Sequence, residues 1–208
     1  MKKYLLYIVL VFLLSAISAL AENNLLSFIE SLQRVKTLKV SFVQITRLDP
    51  DLDEKDVYEG EIYYKRPSKF KWVYTKNSEM EIVSDGKEVY TCIPEEKKLF
   101  KSSLKEGIDY LPMIRILESP QEFNNYFRVV SDAKFKDKVA FELVPLKDNL
   151  TYKRVIVVFR QDKIVPISFQ VLNDDGSDIT YIIKSWEENV KLPETVFKLD
   201  RCTFKEAK

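Results

Sequence analysis

Asp51 and Asp53, and later Asp174 and Asp175, are the side-chain pairs in this sequence whose spacing could support acid–base catalysis. Paired carboxylates can divide the roles of proton donor and base across a scissile bond. Other catalytic arrangements each lack a member. The chain contains no histidine, which removes Ser-His-Asp and Cys-His sets and every imidazole metal site. Its 4 glycines form neither a P-loop nor G-x-G-x-x-G, so no phosphate cradle is encoded. Two cysteines, Cys92 and Cys202, are too few and too far apart for a zinc knuckle. The acidic pairs themselves fall in predicted loops, where a solvated turn carboxylate is the common case. The expectation is a protein that is not an enzyme and uses neither metal nor cofactor.

The stretch "KRPSKFKW", residues 65–72, interleaves Lys65, Arg66, Lys69 and Lys71 with Pro67, Phe70 and Trp72. Basic residues among aromatics suit a nucleic-acid surface, a membrane-facing edge or an ordinary hairpin. Charge weakens the first. Without Lys2 and Lys3, the 33 basic residues become 31 against 32 acidic ones, a net charge of −1. A nucleic-acid binder usually carries a basic excess, so none is expected here. Arg66 precedes a proline, which holds it extended at the end of its strand with the side chain at a rim. A guanidinium there has five donors, enough for several unpaired carbonyls at a helix end. On spacing alone, a solvated hairpin arginine is the commoner outcome.

The N-terminus suggests a compartment, the periplasm if the host is a bacterium. "MKKYLLYIVLVFLLSAISALA" has a positive start at Lys2 and Lys3, an apolar run from Tyr4 to Leu14, and Ala19-Leu20-Ala21 as a cleavage site. Those are the three parts of a secretory signal, and the apolar run is short for a spanning helix of about 20 residues; an uncleaved anchor, with the following Ser-Ala stretch joined to the run, is the lesser alternative. Residues 1–21 are therefore read as a signal peptide, and 22–208 as one domain exported to the periplasm as a monomer. In an oxidising compartment Cys92 and Cys202 can make one intramolecular bridge; two buried free thiols are the alternative. A bridge closing a loop of about 100 residues would contribute on the order of 4–5 kcal/mol and pin a C-terminal strand to the sheet.

Periodicity supplies the elements. Leu25, Leu26, Ile29, Leu32 and Val35 recur at helical spacing behind Asn23 or Asn24 as a cap. Strand patterns follow at 38–45, 57–65 and 69–74, then on either side of Asp85-Gly86, a strong hairpin turn. "LKEGIDYLPMIRILES" (104–119) reads as a helix, with Tyr110, Leu111, Ile114 and Leu117 on one face and Pro112 near its start. Strands then resume from residue 127 to residue 186, with a last piece around "VFKLDRCTF". About eleven strands with two or three helices make an α+β fold with one large antiparallel sheet. "RVIVVF" (154–159) is apolar on both faces, so the sheet must be covered or must curl. That favours an incomplete, half-open barrel lidded by helices, with a greasy space between. Phe42, Phe70, Trp72, Tyr74, Phe169 and Tyr181, with Val157, are its candidate lining. Ordinary sheet core is the plainer reading of each. Lys69 and Lys71, alternating with the rings, would sit outside as solubilising charge.

"SFVQ" (41–44), "KRPSKFKW" and "EIVSDGKEVYTC" (81–92) occur in the order of the N-terminal signatures of a known family. Gly60, Ile62, Lys65, Arg66, Pro67, Phe70 and Trp72 match its G-x-(I/L)-x-x-K-R-P-x-x-F-x-W, and Val83-Ser84-Asp85-Gly86-Lys87 its V-S-D-G-K. The chain thus resembles the outer-membrane lipoprotein carrier family, LolA, densely from 38 to 92 and weakly to about residue 199. It departs at Thr91-Cys92-Ile93-Pro94 and in "FKLDRCTFKEAK", which replaces a Pro-Pro-x-Gly-Val.

The resemblance implies a carrier of lipoprotein acyl chains across the periplasm. Cargo would come from an inner-membrane lipoprotein-releasing ABC transporter and pass to an outer-membrane lipoprotein receptor. Three chains of about 15 methylenes expose on the order of 35 kcal/mol of apolar surface in water, at ~0.8 kcal/mol per CH₂. Free diffusion is excluded on that scale. For Arg66 the resemblance implies a latch that closes the helical lid. A periplasmic lipid or glycolipid shuttle, or a lipoprotein-sensing regulatory module on the same fold, are the competing readings. The chain's end, about ten residues past the last predicted strand, favours the carrier.

Overall fold

The computed structural model describes residues 24–49, 51–148 and 150–202. The predicted signal peptide, Asn23 as a cap, and the last residues of "FKLDRCTFKEAK" lie outside them. Helix α1 covers residues 24–32. Strands β1 (Thr37–Arg47), β2 (Asp56–Lys65), β3 (Lys69–Lys76), β4 (Glu81–Asp85), β5 (Glu88–Ile93) and β6 (Lys98–Ser103) follow. Then come helices α2 (Leu104–Asp109), α3 (Pro112–Glu118) and α4 (Phe123–Tyr126). Strands β7 (Phe127–Phe135), β8 (Lys138–Pro145), β9 (Tyr152–Arg160), β10 (Pro166–Asn173) and β11 (Asp178–Glu188) complete the sheet.

All eleven strands form one antiparallel sheet in the order β6-β5-β4-β3-β2-β1-β11-β10-β9-β8-β7. Hairpins account for every neighbour except β1 with β11, which pair antiparallel from Leu38 opposite Glu188 to Arg47 opposite Asp178. This single long-range pairing decides the architecture. It puts the first and last strands in the middle, so β6 and β7 become the two free edges and the sheet does not close. The helices that connect β6 to β7 must therefore cross the open mouth.

Strand alternation produces the core. Leu38, Val40 and Phe42 on β1, Ile62 and Tyr64 on β2, and Val155, Val157 and Phe159 on β9 point inward and are buried. They meet Leu25, Phe28, Ile29 and Leu32 of α1 and Met113, Ile114, Ile116 and Leu117 of α3 in one cluster. Gly60 is required by this packing: a Cβ there would lie 2.5 Å from the Phe42 ring and 2.7 Å from the Val73 carbonyl. Gly107 does the same for the lid, since its Cβ would sit 2.5 Å from Val89 Cβ. The free edges are blunted by lysines on β6 and by a bulge at Val129 and Ser131 of β7, devices that resist edge-to-edge aggregation.

Several expectations need correction. The helix read over 104–119 is two helices, because Leu111, before Pro112, adopts φ −122° and ψ 79° and ends the first one. Tyr110 is consequently exposed, and Leu26 points out of α1 while Phe28 points in. The final piece is not a strand among the described residues; Glu194–Phe197 is a 3-10 helix and an irregular segment follows. Its backbone N–H groups at Asp200 and Arg201 go to the Glu81 carboxylate, at 3.0 and 2.9 Å, instead of to a ladder. Lys71 is not solvated: this segment covers it, and its ammonium pairs with Glu81 at 2.8 Å and Asp200 at 2.9 Å. Cys92 and Cys202 are joined by a disulfide with Cα atoms 6.0 Å apart.

Candidate functional site

The hairpin between β2 and β3 carries the site. Arg66 donates its backbone N–H to the Lys36 carbonyl at 2.9 Å, which aims its side chain between two helix ends. Its guanidinium then reaches four carbonyl oxygens. Nη2 donates to Leu32 at 3.2 Å and Leu117 at 2.9 Å, Nη1 to Glu118 at 3.1 Å, and Nε to Val35 at 3.2 Å. The last carbonyls of a helix have no intrahelical partner and carry its negative dipole end. A single cation therefore satisfies the C-termini of α1 and α3 together.

Glu118 adds a second grip. A carboxylate is unfavourable at a helix C-terminus, and here it is turned toward the hairpin. Its oxygens accept from the Ser68 hydroxyl at 2.5 Å, the Ser68 N–H at 3.1 Å and the Tyr64 hydroxyl at 2.9 Å. Burial, reinforced by the neighbouring Glu118 charge, pushes the Tyr64 phenol well up, so it remains a donor. The buried Ser84 hydroxyl donates to the Ser68 carbonyl at 2.7 Å. The V-S-D-G-K turn thus supports the hairpin that holds α3. Its own shape comes from Asp85, whose carboxylate accepts the Lys87 and Glu88 N–H groups at 2.8 and 2.9 Å.

Between the lid and the sheet lies a cavity of about 240 Å³. Trp72, Phe169 and Tyr181 form its sheet wall, and Leu111, Pro112 and Met113 its lid wall. Phe42, Phe70, Tyr74 and Val157 are buried in the same inward core but do not reach the wall. Phe42 backs it, with its ring 5.0 Å from that of Trp72 and 5.7 Å from that of Tyr181. Gln44, the last residue of "SFVQ", accepts the Tyr74 hydroxyl within this layer. Burial raises the phenols of Tyr74 and Tyr181, and the polar part of the cavity lining is Thr151 with Asn173 and Asp175 at the β10–β11 turn. A 150 Å³ apolar cavity accommodates benzene; on that scale 240 Å³ takes about ten carbons. One acyl chain already exceeds it.

Acid–base behaviour follows from the composition. With no histidine, no side chain has its ordinary pKa between about 5 and 8. Several carboxylates are held low: Asp85 by the Glu88 and Lys87 N–H groups, and Glu194 at about 2 by Lys65 and Lys69. A lowered folded-state pKa contributes stability above the unfolded value, lost as pH falls through the folded one. The urea midpoint should be flat from about pH 8 to 6 and then fall from about pH 4.5 toward 2. A drop between pH 8 and 6 would contradict this account.

Sequence reasoning found Arg66 but missed Glu118, Ser68, Tyr64 and Ser84 as its companions. A glutamate at the last turn of a predicted helix, against the dipole preference, was the available signal for the first.

The architecture is an open antiparallel sheet with a largely apolar cavity roofed by helices, two of whose C-terminal ends are bonded by one arginine. The sequence profile of the outer membrane lipoprotein carrier protein LolA matches residues 33–200, and the chain belongs to that family. It is 25% identical over 161 residues to the outer-membrane lipoprotein carrier protein of Methylococcus capsulatus, covering 77% of this chain and 74% of that one. The Nitrosospira multiformis carrier is 24% identical over 198 residues, covering 95% and 92%. An uncharacterized conserved protein of Thermus thermophilus shares the fold, with a TM-score of 0.51 at 15% identity over 86% of this chain and 93% of that one. The family is one of carriers and not of enzymes, and lipoprotein is its cargo.

Proposed function

We propose that this chain, exported to the periplasm, takes the acyl chains of lipoproteins from an inner-membrane ABC transporter and delivers them to an outer-membrane receptor. The observation that carries the reading is the pairing of Arg66 with both helix ends over an apolar cavity too small for one acyl chain. Such a site is shut when empty. Cargo must lift α2 and α3 from the sheet, and the inward rings Phe42, Phe70, Trp72, Tyr74, Phe169 and Tyr181, with Val157, then become its walls. The energy stored in re-forming the Arg66 bonds favours release, which a carrier needs as much as capture. The leader and the Cys92–Cys202 bridge both suit an oxidising compartment.

Native mass spectrometry of the protein, secreted into a periplasm together with an acylated lipoprotein, tests this. A one-to-one lipoprotein adduct is expected. Adducts with free lipid alone would assign a lipid shuttle instead, and absence of both would reject the carrier reading.

A further inference from the structure

A cluster at the opposite end of the lid, around Asp109, is not used by the Arg66 latch. Asp109 ends α2, and its carboxylate accepts the guanidinium of Arg115 on α3 through one oxygen and the Lys147 ammonium through the other. The same Arg115 nitrogen reaches the Lys105 carbonyl at 3.3 Å. Its guanidinium carbon lies 4.6 Å from the centre of the Tyr126 ring. Asp109 and Arg115 are almost wholly buried, whereas the Lys147 side chain is one-third exposed, at 33%.

The partition of these contacts is informative. Asp109, Lys105 and Arg115 all belong to the α2–α3 segment and can move together. Lys147 belongs to the loop between β8 and β9, which is tied to α4 through Leu146 N–H and the Tyr126 carbonyl at 2.9 Å. The ion pair that crosses from the moving segment is therefore Lys147 to Asp109, with the Arg115 contact on the Tyr126 ring of α4 crossing beside it. When it parts, Arg115 stays with Asp109, so no carboxylate is left buried and unpaired, the event that makes breaking a buried pair costly. The place also fits. Tyr110, next to Asp109 in the chain, and Tyr152 both line the cavity, and Tyr152 feels the Asp109 and Arg115 charges after burial itself.

We infer that Lys147 and Asp109 form a second, ionic latch that holds the elbow between α2 and α3 shut over the cavity. Arg66 ties the far end of α3, and Lys147 the near end of the same lid. The inference rests on the reading of the cavity as the cargo site. Its character differs from that of Arg66: a partly exposed ion pair is weak and sensitive to salt, so this end opens first.

The test is the entry rate of a neutral apolar dye, N-phenyl-1-naphthylamine, by stopped-flow fluorescence, with hydrogen exchange of residues 104–118 beside it. Lys147→Met should speed entry by up to about fivefold, the upper end of the range of a partly exposed pair. Raised salt should speed the wild type but not Lys147→Met, and Lys147→Arg should restore the slow rate. Faster entry that keeps the wild-type salt response would show general loosening and overturn the latch, as would an unchanged rate. If the dye binds no variant, the cavity reading fails. Exchange in 104–118 still decides the latch by whether Lys147→Met accelerates it in a salt-dependent way.

Discussion

Arg66→Leu should bind apolar ligand on the order of a hundredfold more tightly than the wild type and release it correspondingly slowly. The magnitude follows from the lid. The guanidinium satisfies four carbonyls at the ends of α1 and α3. A hydrogen bond to a charged group contributes about 1.5–3 kcal/mol net, but bonds from one side chain are not additive. Taking about 3 kcal/mol for the set, the closed state loses a factor of roughly 10². Apparent affinity is the intrinsic value scaled by the fraction of open molecules. A ligand that must displace the lid therefore gains what the lid loses. Leucine also returns some carbonyls to water, so a lower thermal midpoint of the empty protein should accompany the tighter binding. Arg66→Lys separates charge from geometry. A single ammonium cannot span four acceptors as a planar fork does, so it should behave closer to leucine. Dye titration gives the affinity, and transfer of a bound lipoprotein to a membrane acceptor gives the release. Equal affinity and equal transfer in Arg66→Leu would remove Arg66 from the mechanism.

Much of this site could be read in the residues because its parts are local in sequence. Pro67 sets the strand end, Asp85-Gly86 the neighbouring turn, and alternation along β3 sends Phe70, Trp72 and Tyr74 to one face. Alternation names a face but not which part of it the lid leaves uncovered. Hence Trp72, Phe169 and Tyr181 reach the cavity while Phe42, Phe70, Tyr74 and Val157 do not. That depends on where α2 and α3 break, which a single residue, Leu111, decides. Lys71 was misread for a related reason. Alternation put it correctly on the outer face, but nothing in a charged, irregular C-terminus announces that it will fold back and cover that face. The Asp109 cluster likewise depends on a partner 38 residues away, across two strands and two short helices. Pairings of that range follow from the strand order, which one hydrogen-bonded ladder, β1 with β11, determines.

Breaking the Cys92–Cys202 bridge should lower stability by about 4–5 kcal/mol, the chain-entropy figure for a loop of this size, and leave ligand affinity nearly unchanged. The bonded residues are 110 apart in sequence, so the unfolded chain gains a great deal of freedom on reduction. The folded chain loses little by geometry, because the same segment is held independently. Glu81, fully buried, accepts the Asp200 and Arg201 N–H groups. Lys71 bonds the Lys198 carbonyl at 3.0 Å, and the Arg201 guanidinium bonds the Tyr74 carbonyl at 2.7 Å. These contacts lie on the outer face, since Lys71 alternates with Phe70 and Trp72, and the lid is on the inner one. That placement is why stability and binding should separate. For a chain of this length a loss of 4–5 kcal/mol corresponds to a fall of roughly 10–15 °C in Tm. Urea unfolding of oxidised protein, reduced protein and the Cys92→Ser, Cys202→Ser double variant measures it, with dye affinity followed alongside. The two holds are coupled through the tail. In reduced protein the tail's docking depends on the ionic cage, so Asp200→Asn should destabilise it more than it does the oxidised protein. If reduction leaves the urea midpoint in place, the cage alone keeps the tail docked and the bridge adds nothing to the fold. If reduction alters dye affinity instead, the outer face communicates with the lid through β3, and the separation of the two faces argued above is wrong.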